Sequence, residues 1–505
     1  MRRLVFAVID GCGPEQLRAA IDAGRAPVLA RIARDGESHR SVAAFPSVTP
    51  VCATALATGV RQDRHRIPSM NWWDRSRGRY VEYGSSFAAS RKLGIVRQLA
   101  DTVYHLNGRH LAPEVETVFE SLDDRGVRTA GTTFLVYRGR YRHQLAKGSA
   151  MNRVASTVFR KPVMGPRELF YADLFASRET GCSSQFGLPG IRDQHAGCVG
   201  AYLVERDLVD FLLLSLPDND THSHKHGPDA QIDSIAAADE QLARIAAAAG
   251  GLDRFLEQWG VVVASDHAHA LVERRGELRP AFEPFGIVRP GGPRKGDRIA
   301  YCPASRSASV YVLDRAQRAD LLPELVAAGR DGDGVELVVW RDGDEGVIAS
   351  GPEAAVAGEL RFRPGGPVAD TRGGTWEVRG TLDLVGAAIE GGVLRSDSHP
   401  DPLGRCWSAL TCVNSGDVLL SAAKGVEFPD WGDVDHVDAG SHGSLRAEDS
   451  VGVLLAHGLD GRRRPGLPAR EGATTWSIED PVPLILEHFA AQADVRAPAA
   501  GSPSA

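Results

Sequence analysis

The sequence lacks the long apolar run that a membrane-spanning helix requires. No stretch approaches the roughly 20 apolar residues that cross a bilayer, and no basic block is present of the kind that favours nucleic acid or an anionic membrane. The net charge is -7, with both signs spread along the chain. We therefore expect neither a nucleic-acid polymer nor a membrane as a partner, and the oligomeric state stays open.

Cysteine is also scarce, and we expect no export signal at the N-terminus. Seven cysteines are an odd number without paired spacing, which is typical of reduced thiols in a cytosol. The N-terminus MRRLVFAVIDG begins with basic residues, but its apolar run Leu4–Ile9 is short, ends at an acidic residue and precedes no cleavage site. We interpret Leu4–Ile9 as a core strand and predict a cytoplasmic protein.

Several short apolar runs are present instead, and they predict the fold class. Leu4–Ile9, Phe211–Leu216 and Val261–Ala264 are each followed by a polar turn and then by a helical pattern. This alternation predicts an α/β sheet that helices cover on both faces. Ligands bind beyond the carboxyl ends of such strands, so the polar residues there are candidates for one site. They are Asp10, Asp218, Asp220, Asp266 and His267.

Two regions interrupt this alternation and are predicted to be insertions into one core of residues 1–490. The first covers about 75–200. The second covers about 273–395 and is expected to form a small α+β unit, with strands at 309–313, 334–340 and 358–363 and a helix at 316–328. Residues 491–505 are predicted to be a disordered tail.

Thr49 stands in the segment FPSVTP, directly before a short helical pattern that ends at Gly59. We predict that Thr49 is the N-cap residue and that Pro50 is the first helical residue. A helix N-terminus offers free N–H groups and a positive dipole end, which suit a phosphate. A threonine that only caps a helix is the simpler interpretation unless other segments support a chemical role.

The segment DNDTHSHKHGP, which starts at Asp218, concentrates histidine and aspartate in one place. Asp220 and His224 are four residues apart, so one helical turn places both on the same side. This pattern predicts a metal site. Asp218 is expected to hydrogen-bond a ligand histidine, and His222 is expected either to support the ligands or to lie at the surface.

Two further segments carry histidine at positions where a metal could bind. Asp266 and His267 follow the third apolar run, and His442 lies between glycines in GSHGS. Each segment alone is compatible with an ordinary turn or surface loop. Together with Asp10 they complete a mixed Asp and His set for two divalent ions, with Zn²⁺ favoured and Mn²⁺ or Mg²⁺ as alternatives. His269, two residues beyond His267, is assigned to solvent.

The ordered set of Asp10, FPSVTP, DNDTHSHKHGP, SDH and GSHGS resembles the type I phosphodiesterase and nucleotide pyrophosphatase family of the alkaline phosphatase superfamily. Phosphonoacetate hydrolase resembles the same branch. The resemblance implies an alkaline-phosphatase-like three-layer sandwich with a central, mostly parallel sheet, in which the insertions act as caps. It implies that one ion is bound by Asp220, His224 and His442, and the second by Asp10, Asp266, His267 and the hydroxyl of Thr49.

The activity that the resemblance implies is metal-dependent hydrolysis of a small phosphate ester. A phosphodiester or a nucleotide pyrophosphate bond is favoured, with a phospho-threonine intermediate on Thr49. A phosphomonoesterase and a phosphonoacetate-hydrolase-like C–P hydrolase are the alternatives. A catalytically degenerate protein that only binds a nucleotide or a metal is the alternative from another class.

Five residues near the nucleophile are candidates for binding the substrate. The family places an asparagine beyond the nucleophile helix, and Asn71 is the candidate here, with a surface turn as the alternative. Cys52 replaces an asparagine of many relatives, and a thiol is a weak donor. Cys52 is not followed by the sulfatase pattern Cys-x-Pro-x-Arg, which disfavours it as the nucleophile. Trp72, Trp73 and Tyr83 could stack on a substrate, with core packing as the alternative.

Overall fold

The computed structural model describes residues 2–145, 161–171, 174–183, 188 and 190–496. The α-helices in this part of the chain are α1 (Pro14–Asp22), α2 (Pro27–Asp35), α3 (Thr49–Thr58), α4 (Gln62–His65), α5 (Phe87–Leu93), α6 (Ile95–Ala100), α7 (Val118–Asp123), α8 (Arg192–Glu205), α9 (Asp218–His226), α10 (Gln231–Ala248), α11 (Leu252–Gln258), α12 (Arg279–Phe282), α13 (Arg318–Arg330), α14 (Pro402–Thr411), α15 (Ala447–Ser450) and α16 (Pro481–Arg496). A π-helix covers Asp101–His110.

The strands are β1 (Arg3–Ile9), β2 (Glu37–Val42), β3 (Asn71–Asp74), β4 (Arg79–Glu82), β5 (Thr129–Thr132), β6 (Tyr141–His143), β7 (Val163–Gly165), β8 (Glu168–Tyr171), β9 (Phe175–Ala176), β10 (Phe211–Leu216), β11 (Trp259–Ala264), β12 (Ala270–Leu271), β13 (Arg274–Arg275), β14 (Ile299–Ala304), β15 (Ser307–Val312), β16 (Val335–Asp342), β17 (Glu345–Ser350), β18 (Glu359–Ala369), β19 (Thr375–Gly380), β20 (Ala387–Glu390), β21 (Val393–Ser396), β22 (Val418–Ala422), β23 (Val426–Glu427), β24 (Gly440–Ser441), β25 (Val451–His457) and β26 (Trp476–Ser477).

The main sheet has nine strands in the order β26-β2-β25-β11-β1-β10-β5-β8-β9. Its centre is parallel, because β1 pairs in parallel with β10 and β11, β10 with β5, and β5 with β8. Strand β25 runs antiparallel to both of its neighbours, and β9 runs antiparallel to β8. The three predicted core strands are β1, β10 and β11, which confirms the predicted α/β class with a mostly parallel central sheet.

Helices cover both faces of this sheet. Successive side chains of β1 point to opposite faces, and those of Leu4–Ile9 are all buried, so both faces must be covered. Leu4 and Phe6 join a core that also contains residues of α3 and α16. Val5 and Ala7 point the other way, into a core shared with α1, α2, α8 and α10. The result is the three-layer arrangement that the family resemblance implied.

The two predicted insertions differ from the structure at their boundaries. The region 75–200 is not separate from the main sheet, because it supplies β5, β8 and β9. The region 273–395 belongs to a second, nine-stranded sheet of β14 to β22, which continues to Ala422. The strands and the helix predicted within it correspond to β15, β16, β18 and α13. Helix α16 continues to Arg496, so the prediction of a disordered tail is wrong for residues 491–496. Residues 497–505 lie outside the described residues.

A disulfide joins Cys182 to Cys198, with 5.9 Å between the Cα atoms. The prediction that all seven cysteines are reduced thiols is therefore wrong, and the other five are buried and free. The partners are 16 residues apart, and Cys198 lies in α8, so the pair forms through tertiary packing rather than local spacing. Among the described residues, no helix combines the length and the apolar character needed to cross a membrane.

Candidate active site

Three aspartates meet at one edge of the main sheet. Asp10 directly follows β1, Asp220 lies in the first turn of α9 after β10, and Asp266 comes two residues after β11. Strand β1 lies between β10 and β11, with Ile9 opposite Leu216 and Val8 opposite Ala264. Because all three strands are parallel, their carboxyl ends coincide, and side chains from distant parts of the sequence converge there.

The first group of side chains surrounds His267. Its Nε2 atom lies 3.6 Å from Asp10 Oδ1, 3.4 Å from Asp266 Oδ2 and 3.4 Å from Thr49 Oγ1. The backbone N–H of Gly11 donates to Asp266 Oδ1 at 3.1 Å and fixes that carboxylate. Two carboxylates, one imidazole and one hydroxyl are a donor set that suits a divalent cation.

The electrostatics of Asp10 bear on whether a cation fits this group. Its Oδ1 atom is buried without a hydrogen-bond partner among the described residues. Burial, and then the charges of Asp266 and Asp220, raise the pKa of Asp10 well above its usual value. A nearby positive charge favours the charged form of such a carboxyl, so the residues fit a bound cation.

The second group surrounds Asp220. Its Oδ1 atom lies 3.4 Å from His224 Nε2, 3.0 Å from His269 Nε2 and 3.6 Å from His442 Nε2. The Nε2 atoms of His224 and His442 are 3.2 Å apart. Four side chains thus direct one donor atom each toward a common space, as ligands of a metal do.

Backbone carbonyls orient two of these imidazoles. His224 Nδ1 donates to Gly440 O at 2.8 Å, and His442 Nδ1 donates to Ser47 O at 2.8 Å, which leaves both Nε2 atoms free for the group. Burial, and then the neighbouring His267 and other imidazoles, hold the pKa of His442 well below its usual value. A neutral imidazole is the form that binds a metal.

Asp220 carries the negative charge of the second group. Burial alone would raise its pKa, but the charge of His224 and the hydrogen bonds from His224 and His269 hold it well below its usual value. The same interaction raises the pKa of His224, against the effect of burial. The carboxylate is therefore ionised at neutral pH, as a ligand must be.

His267 links the two groups. Its ring stacks on that of His442, with 3.7 Å between the centroids and an interplanar angle of 17°. It belongs to one potential metal-holding set with Asp10 and Asp266, and to another with Asp220, His269 and His442. The two sets therefore adjoin, and the structure brings all seven predicted metal-binding residues together: Asp10, Thr49, Asp220, His224, Asp266, His267 and His442.

His269 is the site residue that the sequence analysis missed. It was assigned to solvent, but its side chain is fully buried and contacts Asp220. Burial lowers its pKa to about 4, so the ring is neutral. A signal was available, because residues two apart in an extended segment point to the same side. By that rule, His269 shares the side of His267.

Thr49 does not cap α3, contrary to the prediction. The N-cap residue is Val48, Thr49 is the first helical residue, and no side chain caps the helix. The hydroxyl of Thr49 therefore does not cap the helix, and it lies 3.4 Å from Nε2 of His267. This places a potential nucleophile at the positive end of a helix and beside the first group.

A cavity of about 770 Å³ connects both groups with the exterior. Tyr83 and Phe87 form part of its wall, together with Thr49, Asp220 and His442. The hydroxyl of Tyr83 forms a hydrogen bond of 2.8 Å with Nδ1 of His110, and this contact holds the phenol ring in place. Of the five residues predicted to bind a substrate, Tyr83 is the one in this wall.

The other four predicted substrate-binding residues lie in the protein core. The amide nitrogen of Asn71 donates to Pro303 O, and the residue is buried. Trp72 and Trp73 are buried in the same hydrophobic core as α3. Cys52 is buried as well, and burial raises the pKa of its thiol well above the usual value. For Trp72 and Trp73 the alternative of core packing therefore holds, Asn71 lies in the core rather than in a surface turn, and none of the four residues lines the cavity.

Asp218 and His222 face away from the metal-holding groups. Asp218 accepts from Arg192 Nε at 2.8 Å and from the backbone N–H of Asp193 at 3.0 Å. The ring of His222 lies 4.7 Å from that of His226, and both Asp218 and His222 line a neighbouring cavity. The prediction that Asp218 accepts a hydrogen bond from a ligand histidine is therefore not met. Helix α9 directs the carboxylate of Asp218 toward α8, where it forms an ion pair with Arg192.

Solved structures with the same fold are remote in sequence. Phosphonoacetate hydrolase from Sinorhizobium meliloti 1021, in complex with phosphonoformate, is 16% identical with a TM-score of 0.56, over 97% of this chain and 96% of that chain. Human ectonucleotide pyrophosphatase/phosphodiesterase 5 is 13% identical with a TM-score of 0.53, over 96% and 94%. An inactive variant of the murine protein, in complex with AMP, is 12% identical with a TM-score of 0.55, over 99% and 98%.

Comparison of the sequence with known protein families shows which family the chain belongs to. No curated protein matches this chain significantly. The model of the family described as type I phosphodiesterase / nucleotide pyrophosphatase matches residues 4–355, which include every side chain of the two groups described above except His442. The chain therefore belongs to the type I phosphodiesterase/nucleotide pyrophosphatase family and is a hydrolase of phosphoric esters.

Proposed function

We propose that the protein hydrolyses a phosphodiester or nucleotide pyrophosphate bond through a phospho-threonine intermediate on Thr49, with two divalent ions. The observation that carries the proposal is the position of Thr49 Oγ1, 3.4 Å from His267 Nε2 in the group that contains Asp10 and Asp266. A hydroxyl that does not cap its helix and lies beside a buried set of carboxylates and imidazoles is suited to nucleophilic attack.

The proposed reaction has two displacements at phosphorus. Thr49 Oγ attacks the phosphorus in line, a bond forms between them, and the bond to the leaving oxygen breaks. A water molecule then attacks the phospho-threonine, which releases the phosphate product and restores the hydroxyl. Bound divalent ions would lower the pKa of the hydroxyl and neutralise charge on the phosphoryl oxygens.

The protein's own groups would position the phosphate. Thr49, Pro50 and Ala53 of α3 line the cavity, so the free N–H groups and the dipole of that helix point toward an anion bound there. Arg192 and Lys225 also line the cavity and add positive charge near its wall. A small phosphate ester such as a nucleotide fits these features, with Tyr83 available to contact a base.

Zn²⁺ is the favoured ion for both groups, since each combines imidazole with carboxylate. Elemental analysis of the purified protein tests this, and two zinc ions per chain are expected. Mn²⁺ or Mg²⁺ in place of zinc would overturn the metal assignment but not the fold. The cytoplasmic location stays a prediction, which cell fractionation would test.

The substrate class is tested with three substrates and metal-stripped protein to which Zn²⁺ or Mn²⁺ is returned. We expect bis(p-nitrophenyl) phosphate to turn over faster than p-nitrophenyl phosphate, with no phosphate release from phosphonoacetate. A preference for the monoester would indicate a phosphomonoesterase, and phosphate release from phosphonoacetate would indicate C–P hydrolysis. Metal binding without turnover of any substrate would indicate a degenerate binder.

A further inference from the structure

His269 is the buried imidazole of the site that neither the sequence pattern nor the proposed reaction uses. Its side chain is 0% exposed, and its Nε2 atom lies 3.0 Å from Asp220 Oδ1. Its Nδ1 atom is also buried and has no hydrogen-bond partner among the described residues. The ring is therefore held by its Nε2 contact and by the walls around it.

The surrounding backbone is shaped to admit this ring. A Cβ atom at Gly11 would lie 2.6 Å from both Cδ2 and Nε2 of His269, and a Cβ at Gly440 would lie 3.0 Å from its Nδ1. Real Cβ atoms rarely approach other atoms so closely. Gly11 also has φ +66°, where a side chain is disfavoured. Glycine on each side thus leaves a slot that His269 fills.

We propose that His269 is a ligand of the metal ion bound at Asp220, in addition to His224 and His442. This inference rests on the metal requirement of the proposed function. In a tetrahedral zinc site with bonds near 2.1 Å, ligand atoms are about 3.4 Å apart. Asp220 Oδ1 lies 3.0 Å from Nε2 of His269, 3.4 Å from that of His224 and 3.6 Å from that of His442, and the Nε2 atoms of His224 and His442 are 3.2 Å apart. These four distances are close to the edge length of such a tetrahedron.

A fourth protein ligand changes what this ion can do. Sites with four protein ligands are closed, whereas catalytic zinc keeps an open position for water or substrate. With His269 as a ligand, the ion at Asp220 would have four protein ligands and would be held more firmly than by Asp220, His224 and His442 alone.

The test compares metal binding by the native protein with that of His269→Ala and His269→Gln. Gln keeps an N–H that can donate to Asp220 but is a poor zinc ligand, so it separates ligation from hydrogen bonding. His222→Gln is the matched control, because His222 lies on α9 next to the site but outside both groups. Affinity is measured by chelator competition with Zn²⁺, and coordination by the visible absorption of the Co²⁺-loaded protein.

We expect both His269 variants to lose at least about tenfold in affinity at one of the two sites and to show a changed Co²⁺ spectrum, while His222→Gln stays native. His269→Gln with native affinity and a native spectrum would overturn the proposal and leave His269 as a hydrogen-bond donor to Asp220. His269→Ala with native affinity and a native spectrum would also overturn the proposal. Thermal melting of the metal-free proteins shows whether each variant folds. The metal-binding measurements use no substrate. A protein that fails to hydrolyse any ester would therefore contradict the proposed function without changing the result for His269.

Discussion

Replacing Thr49 separates a chemical role from a structural one. Thr49 is the first residue of α3, does not cap it, and has His267 Nε2 at 3.4 Å from its hydroxyl. Thr49→Ala removes that hydroxyl and leaves the helix backbone in place. Thr49→Ser keeps an Oγ at the same position and is the matched variant.

The structure sets different magnitudes for stability and turnover. Because the hydroxyl makes no hydrogen bond to the helix, and alanine favours a helix, we expect Thr49→Ala to change the free energy of unfolding by less than about 1 kcal/mol. Removing the attacking atom should lower turnover by at least about 1000-fold, which corresponds to about 4 kcal/mol in the activation barrier. Thr49→Ser should stay within about tenfold of the native rate, since the nucleophilic oxygen is retained.

The assay is hydrolysis of bis(p-nitrophenyl) phosphate at saturating metal, with thermal melting and elemental analysis of each variant. A native melting temperature and native metal content, with lost turnover in the alanine variant alone, would support the nucleophile assignment. If Thr49→Ala keeps turnover within about tenfold of native under these conditions, then Thr49 is not the nucleophile, and the proposed intermediate is wrong.

Three further predictions follow from the same structure. Asp220→Asn should lower bound metal from two ions to one, while the exposed Asp229→Asn keeps both; unchanged metal in the first variant would contradict the ligand assignment. Burial lowers the pKa of His65 from 6.5 to about 3. Between pH 6.5 and 3, this histidine is therefore protonated in the unfolded chain but not in the folded chain. As the pH is lowered from 6.5 to 3, the free energy of unfolding should therefore fall by about 1.4 kcal/mol per pH unit on account of this residue. Denaturant titrations at several pH values measure this dependence, which should be weaker in His65→Gln. Thiol titration of the unfolded, unreduced protein should find five thiols rather than seven, because Cys182 and Cys198 form a disulfide.

The local pattern of the chain determined which elements carry the site. Apolar runs at β1, β10 and β11 predicted buried parallel strands, and the aspartates after them had to lie at one sheet edge for that reason alone. The spacing of Asp220 and His224 placed both on one side of a helical turn. These inferences need only the periodicity of strands and helices, which short stretches of sequence express.

The roles of Asn71, Trp72 and Trp73 could not be fixed in the same way. Each residue type serves a substrate pocket or a core equally well, and the choice depends on what packs against strand β3. In the structure that neighbour is β14 of the second sheet, whose Pro303 carbonyl accepts from Asn71. The contact joins residues 232 positions apart, so no local pattern reports it.

The same distinction holds for His269 and for the metal groups as a whole. The sequence alone determined that aspartate and histidine would gather beyond the strand ends. Only the tertiary structure decided that Gly11 and Gly440 leave room for His269 beside Asp220. The physical reason is the sequence distance over which the residues interact. Helices and strands depend on residues a few positions apart, whereas a ligand set depends on contacts between segments that come together only when the sheet has formed.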